Sequence, residues 1–314
     1  MRRIVFPLIA IAVSAPAAIA QHPQPPARFT VAESGEGFDT LDAAVRAVGD
    51  RRATILIAPG TYRECAVQEA GHITFRAAVP GQAIFENEVC EDKAALVLRG
   101  RGSVVDGIVF RGYSVNDGNG AGIRIETGDL LVTNSMFLDS QEGILGGNPS
   151  GQKITIDRST FSGLGQCDQA VNCSHSIYLS NQGEVIITRS RFERGTGGHY
   201  VKLRVPNVQI LDSSFDDSQG RNTNYMIDLS EGGTGLIARN VFVQGANKEN
   251  GSGLIVVAPE GKTYSSAGLR VEGNTASMAP GAGGNPAFVA DLSLQPLNIG
   301  GNTLTGMREF EVRR

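Results

Sequence analysis

The chain repeats itself. Seven segments, VTNSMF, IDRSTF, ITRSRF, ILDSSF, IARNVF, RVEGNTA and NIGGNTL, share one form: an apolar stretch, then Ser or Asn, then any residue, then Phe or another apolar residue. The Ser and Asn positions are Ser135, Ser159, Ser190, Ser213, Asn240, Asn274 and Asn302, at spacings of 24, 31, 23, 27, 34 and 28 residues. VVDGIVF, Val104 to Phe110, is one earlier copy. A period of this size leaves no room for paired amphipathic helices. It lacks the ladder of leucine-rich repeats and is too short for propeller blades. Composition agrees, because 40 Gly and only 19% charged residues suit many tight turns between short strands. The architecture that remains is all-β: a right-handed parallel β-helix solenoid. Its apolar side chains are expected to point inward and its polar ones outward, at the two-residue period of a strand. The Phe residues should stack in one core column. The Ser and Asn residues should bond backbone groups of neighbouring coils.

The start of the chain reads as an export sequence. Arg2 and Arg3 precede an apolar run from Ile4 to Val13, and Ala18-Ile19-Ala20 has the small-x-small form of a cleavage site. Residues 1–20 are expected as a signal peptide cut between Ala20 and Gln21, residues 21–28 as a Pro-rich leader, and residues 29–314 as a single β-helix domain. The apolar run is too short to span a bilayer, and no later stretch is long enough, so no membrane span is expected. The expected location is secreted or periplasmic, and the expected state a monomer. With a net charge of −4 nothing suggests a nucleic-acid partner, and none is expected.

GFDTLDAAVRAV, Gly37 to Val48, carries Asp39 or Thr40 as a helix N-cap, and Leu41, Ala44, Val45 and Val48 form one apolar face. ATILIAPGTYRE follows as a strand, a Pro-Gly turn and a second strand. In this opening the chain resembles the pectate-lyase-like β-helix superfamily, many members of which begin with a short helix that plugs the end of the solenoid, followed by PGTY. The resemblance covers most of residues 29–314 at the level of architecture. It implies the fold and a short N-terminal capping helix. It does not select an activity, since the superfamily holds lyases, hydrolases, esterases, epimerases and adhesins. Four Cys in an exported chain are expected as two disulfides. Cys167 and Cys173 would close a small loop. Cys65 and Cys90 lie 25 residues apart, or one coil, which suits a bridge between neighbouring strands about 4.8 Å apart.

Three segments stack at offsets of 24 and 26 residues: SHSIYLS (Ser174 to Ser180), GHYVKLR (Gly198 to Arg204) and NYMIDLS (Asn224 to Ser230). With Ile177, Val201 and Ile227 facing the core, parity sends Tyr178, Lys202 and Asp228 outward as one column. Ser180, Arg204 and Ser230 form the column on one side; Ser176, Tyr200 and Met226 form that on the other. His175, His199 and Tyr225 align at core parity beside turns. This patch holds two of the chain's four His and three of its six Tyr. That density of proton-transfer and anion-binding groups marks a candidate site. As a solvated sheet face, the same residues would amount to a Lys–Asp ladder pair of about 0.2–1 kcal/mol. Glu231, Glu249 and Asn250 lie at its edges, and Arg124 falls in the Tyr178 column some coils away.

The chemistry expected there is polysaccharide lysis by β-elimination on an acidic, uronate-containing polymer. Arg204 has the planar fork that holds a carboxylate, Lys202 is the base, and Tyr178, with His175 or His199, protonates the leaving oxygen. Tyr200, Asp228 and Tyr225 complete the substrate contacts. No cofactor is expected. Calcium, which many β-helix lyases bind through an acidic cluster, has only Asp228 to hold it here, and no metal site is expected. A uronate epimerase shares the proton abstraction, but the Asp-Pro-His-Asp motif of alginate epimerases is absent. A glycosidase needs two facing carboxylates; Asp228 and Glu231 are the pair on offer, on a face dominated by bases. A non-catalytic polysaccharide-binding or envelope-structural protein is the alternative.

Overall fold

The computed structural model of the 314-residue chain describes residues 1, 27–148 and 151–314. The expected signal peptide, its cleavage site and most of the leader lie outside the described residues. From Arg52–Ile57 onward the strands come in threes, one to each of three sheets, ending with Asn298–Gly300, Thr303–Leu304 and Arg308–Val312. Two sheets have ten strands and one has twelve. Each strand in the coils pairs in parallel with its counterpart one coil away, as in Phe110↔Phe137↔Phe161. The two extra strands, Phe29–Val31 and Glu36–Phe38, add antiparallel at the N-terminal edge. The fold is a parallel β-helix.

The repeat has a direct physical counterpart. Phe110, Phe137, Phe161, Phe192, Phe215 and Phe242 stack ring on ring, with centroids 4.7–5.1 Å apart. That spacing is the inter-strand distance itself, so one Phe per coil fills the tube without a gap. Two residues earlier, each Ser or Asn side-chain oxygen accepts from the backbone N–H of its counterpart one coil back. Ser190 Oγ accepts from Ser159 (3.2 Å), Ser213 Oγ from Ser190 (3.1 Å), Asn240 Oδ1 from Ser213 (2.9 Å), and Asn274 Oδ1 from Asn240 (3.0 Å). The chain turns a corner here through a left-handed residue, such as Arg158 (φ 46°), Arg189 (φ 49°) or Asp212 (φ 53°). The side-chain ladder replaces the sheet hydrogen bonds that the corner interrupts.

The helix α1, Leu41–Val48, closes the N-terminal end. Thr40 caps it, accepting from Ala43 N–H at 3.2 Å, and Leu41, Ala44, Val45 and Val48 enter the same core as the first coil. Both expected disulfides are formed, Cys65–Cys90 with Cα atoms 5.5 Å apart and Cys167–Cys173 with Cα atoms 4.2 Å apart.

Candidate functional site

The site is built on the outer face of the third sheet. Its register joins Arg124 to Leu145, Leu145 to Tyr178, Tyr178 to Lys202 and Lys202 to Asp228. Tyr178, Lys202 and Asp228 therefore form the outward column that parity predicts, with Ser180 beside Arg204 in the next.

The column on the other side differs from expectation. Tyr200 and Met226 point into the core, 1% and 0% exposed, and the histidines are the ones outside. The cause is a bend at Ser176, Tyr200 and Met226, each just before its strand begins. Two consecutive residues face inward across it, which inverts the parity of everything earlier. Tyr200 is fixed there: its hydroxyl donates to Asp217 Oδ1 at 2.7 Å and accepts from Gly195 N–H at 3.0 Å. Asp217 is fully buried and paired with Lys248 at 3.0 Å. Tyr200 thus has no path to a ligand on the outer face.

His175, His199 and Tyr225 instead stack over the outside of the sheet. Their ring centroids are 5.0 Å apart from His175 to His199 and 5.4 Å from His199 to Tyr225. Glu142 occupies the matching place one coil earlier, since Ile144 pairs with Ile177. His175 Nδ1 accepts from the His199 backbone N–H at 3.0 Å, so neutral His175 carries its proton on Nε2. His199 Nε2 lies 3.3 Å from Asp228 Oδ2, which also accepts from Ser230 Oγ at 3.0 Å. Asn250 Nδ2 donates to the Tyr225 hydroxyl at 2.8 Å, which brings the Asn247-to-Gly253 loop to this edge.

Burial sets the protonation states. It pushes His175 down to about 3, with the Lys202 charge adding to the effect. Burial also holds His199 well below the usual imidazole range, helped by the Lys202 charge. Asp228 is pushed up to about 6 by burial, against the opposing pull of Lys202 and Ser230. Burial drives Glu142 well above the carboxylate range, and one of its oxygens has no hydrogen-bond partner among the described residues. The histidine file is neutral near pH 7, and burial raises the carboxyls at both of its ends, Glu142 and Asp228.

The expected cationic centre is compensated. Glu260 reaches in from the segment after Gly253–Val257, the strand two coils on, and bridges Lys202 Nζ and Arg204 with its two oxygens. Its backbone is anchored, Glu260 N–H donating to Ser230 O at 2.9 Å. Glu231 stands 3.4 Å from Arg204 Nε, and Asp228 3.5 Å from Lys202 Nζ. Covered in this way, Lys202 is only 7% exposed, although its side chain leaves the core. Lys202 Nζ and Arg204 Cζ lie 5.8 and 5.0 Å from the Tyr178 ring centroid. Tyr178 also lines a cleft of about 500 Å³, together with Arg124, Leu145, Gly147, Ser180 and Tyr264. Glu142, Glu260 and Tyr264 are not among the residues that the sequence singles out. A signal for the glutamates is there: stacking EGILGGN before SHSIYLS, and GLIVVAPEG after NYMIDLS, places both beside the file.

Among the described residues no group of three or more His, Cys, Asp or Glu is placed to hold a metal ion. No helix there is long and apolar enough to cross a membrane. The chain matches no protein family and no curated protein. Among solved structures it is similar to the Streptococcus pneumoniae surface protein and adhesin PfbA, with 10% identity, a TM-score of 0.37, and coverage of 87% of this chain and 94% of that one. A likeness that distant transfers no property.

Proposed function

We propose that the protein is an exported, carbohydrate-active β-helix that binds an acidic, uronate-containing polysaccharide beside Tyr178 and cleaves it by β-elimination. One observation carries this reading: Tyr178 lines an open cleft while two cations stand over its ring. A phenol in that setting stands within reach of a bound sugar, with positive charge beside it to offset negative charge that develops in the reaction. Lys202 does not line the cleft and is engaged by Glu260 and Asp228. Proton transfer therefore falls to Tyr178, and Lys202, Arg204 and the neutral histidines position it. In the reaction, the Tyr178 oxygen, in its ionised form, takes the proton from the ring carbon next to the uronate carboxylate. The C–H electron pair forms a carbon–carbon double bond, and the glycosidic oxygen on the neighbouring carbon departs with the proton that Tyr178 returns. No further reactant is needed. Two disulfides fit the oxidising compartment that export implies.

The test is incubation of the purified protein with polygalacturonate, alginate and glucuronate-containing polymers, watching for the ultraviolet absorbance of an unsaturated uronate. Tyr178→Phe should lower turnover by at least about 100-fold. A parent protein that yields no unsaturated product from any of them refutes elimination. A second reading, non-catalytic polysaccharide binding, is favoured by the saturation of Lys202 and Arg204 by the chain's own carboxylates. Binding without product supports it, and inverted uronate without cleavage supports an epimerase.

A further inference from the structure

Carboxylate recognition needs a cation with donors to spare, and Arg204 has few. Its guanidinium is held by Glu260, faced by Glu231, and lies over the Tyr178 ring. Arg124, two strands from Tyr178 in the outward column of Tyr178 and Lys202, is placed differently. It donates no hydrogen bond among the described residues, and its Nε is buried without a partner. The nearest carboxylate oxygen is Glu126 Oε1, at 3.8 Å. Both Glu126 oxygens are already taken, Oε1 by Lys93 at 2.8 Å and Oε2 by Arg99 at 2.6 Å. Glu142, the other acid near Arg124, is buried, and that burial disfavours its charged form. Arg124 is thus a cation whose donors are unspent, with a side chain 32% exposed to the cleft.

The cleft has the shape to use it. Between Arg124 and Tyr178 lies the strand Glu142–Asn148, and there the outward position beside Leu145 is Gly147. A Cβ at Gly147 would lie 1.7 Å from the Ser180 carbonyl oxygen, and its φ is 154°. Only glycine fits, so the cleft floor stays bare backbone. Tyr178 and Tyr264 flank it, two aromatic faces in a chain without Trp.

Resting on the reading of Tyr178 as the group that meets a polysaccharide, we infer that this cleft is a subsite for an acidic sugar, with Arg124 as the residue that selects its carboxylate. The sugar ring lies over the Gly147 floor between the tyrosines, and the guanidinium fork closes on the carboxylate as a paired contact. Two strand steps, about 9.6 Å, separate Arg124 from Tyr178. The recognised carboxylate therefore sits along the polymer from the bond nearest Tyr178.

Calorimetric titration with tetragalacturonate, tetramannuronate and neutral cellotetraose tests this. The wild-type protein should bind at least one uronate tetramer, and cellotetraose at least tenfold more weakly. Arg124→Gln should reduce uronate affinity at least tenfold, to the neutral level. Arg124→Lys should fall between, because it keeps the charge and loses the fork. Arg270→Gln, on an exposed arginine of another sheet, should change nothing. Failure of the wild-type protein to prefer either uronate, or full wild-type affinity in both Arg124 variants, overturns the subsite; should Arg124→Gln not fold, Arg124→Lys at wild-type affinity does so alone. Arg124-dependent binding without unsaturated product removes the elimination reading and leaves the subsite. Product formation with a KM untouched by either substitution removes the subsite and leaves elimination.

Discussion

A buried histidine that stays neutral leaves a mark on stability as well as on chemistry. His175 titrates near 3 in the folded protein, against 6.5 as its ordinary value. Between those values the unfolded chain takes up a proton that the folded chain refuses. Its contribution is therefore fully present above about 6.5 and is lost as pH falls through the window, with a slope of up to ~1.4 kcal/mol per pH unit. Asp228 runs the other way. Its folded value near 6 lies above the ordinary 3.8, so the cost of ionising it in place grows as pH rises between the two. His175→Asn keeps an acceptor for the His199 N–H and removes the titration. Urea denaturation across pH should show the wild-type protein losing stability relative to the variant on acidification; parallel curves would contradict the assignment. Lys202 belongs to the same scale. An outward lysine on a strand is expected to contribute little, yet this one is buried between Asp228 and Glu260. Lys202→Ala should cost about 3 kcal/mol, and adding Asp228→Asn should recover part of it. Equality with Arg270→Ala would show the pair to be inconsequential.

The corner ladder is the element on which the coils depend. Ser190→Ala leaves the buried Ser159 N–H without its acceptor and should cost about 1–3 kcal/mol. Ser190→Asn, which keeps an oxygen in reach as at Asn240, should cost less, and a denaturation midpoint for each variant decides it. This element is legible in the chain because one residue per coil fills the same place in every coil, so the Phe stack and the Ser/Asn file both follow from periodicity alone. The Tyr178–Lys202–Asp228 column is legible for the same reason, strand parity being strict inside Ile177–Asn181 and Val201–Arg204. The directions of His199 and Tyr200 are not legible, because the bend before the strand reverses parity and nothing local in GGHYVKLRV marks it. Only the bulk of Tyr200 inside and its bond to Asp217 reveal the reversal. Glu260 is hidden because it lies 58 residues from Lys202 and arrives from beyond a strand end, where periodicity no longer constrains direction.

At the scale of the molecule, the Cys65–Cys90 bridge supports the first coils of the sheet that carries the site. Cys90 packs with Ala94, Val97, Ala121, Leu145 and Tyr178 in a small apolar cluster outside the main core. Replacing both cysteines with Ala should lower stability by about 2–4 kcal/mol and loosen Tyr178. Thermal unfolding with and without reductant, followed by tyrosine fluorescence, measures both effects; no change in either would detach the bridge from the site. The cleft also has a mechanical meaning. The sheet register sets Arg124, Gly147 and Tyr178 on three successive rungs of one tube, and Tyr264 reaches over from a segment farther along, its hydroxyl 3.3 Å from Asn181 O. Such a tube, held chiefly by contacts between neighbours, can unzip from an end one rung at a time. A polymer lying in the cleft would clasp several rungs at once, so fraying that reached them would have to release the polymer together with the strands.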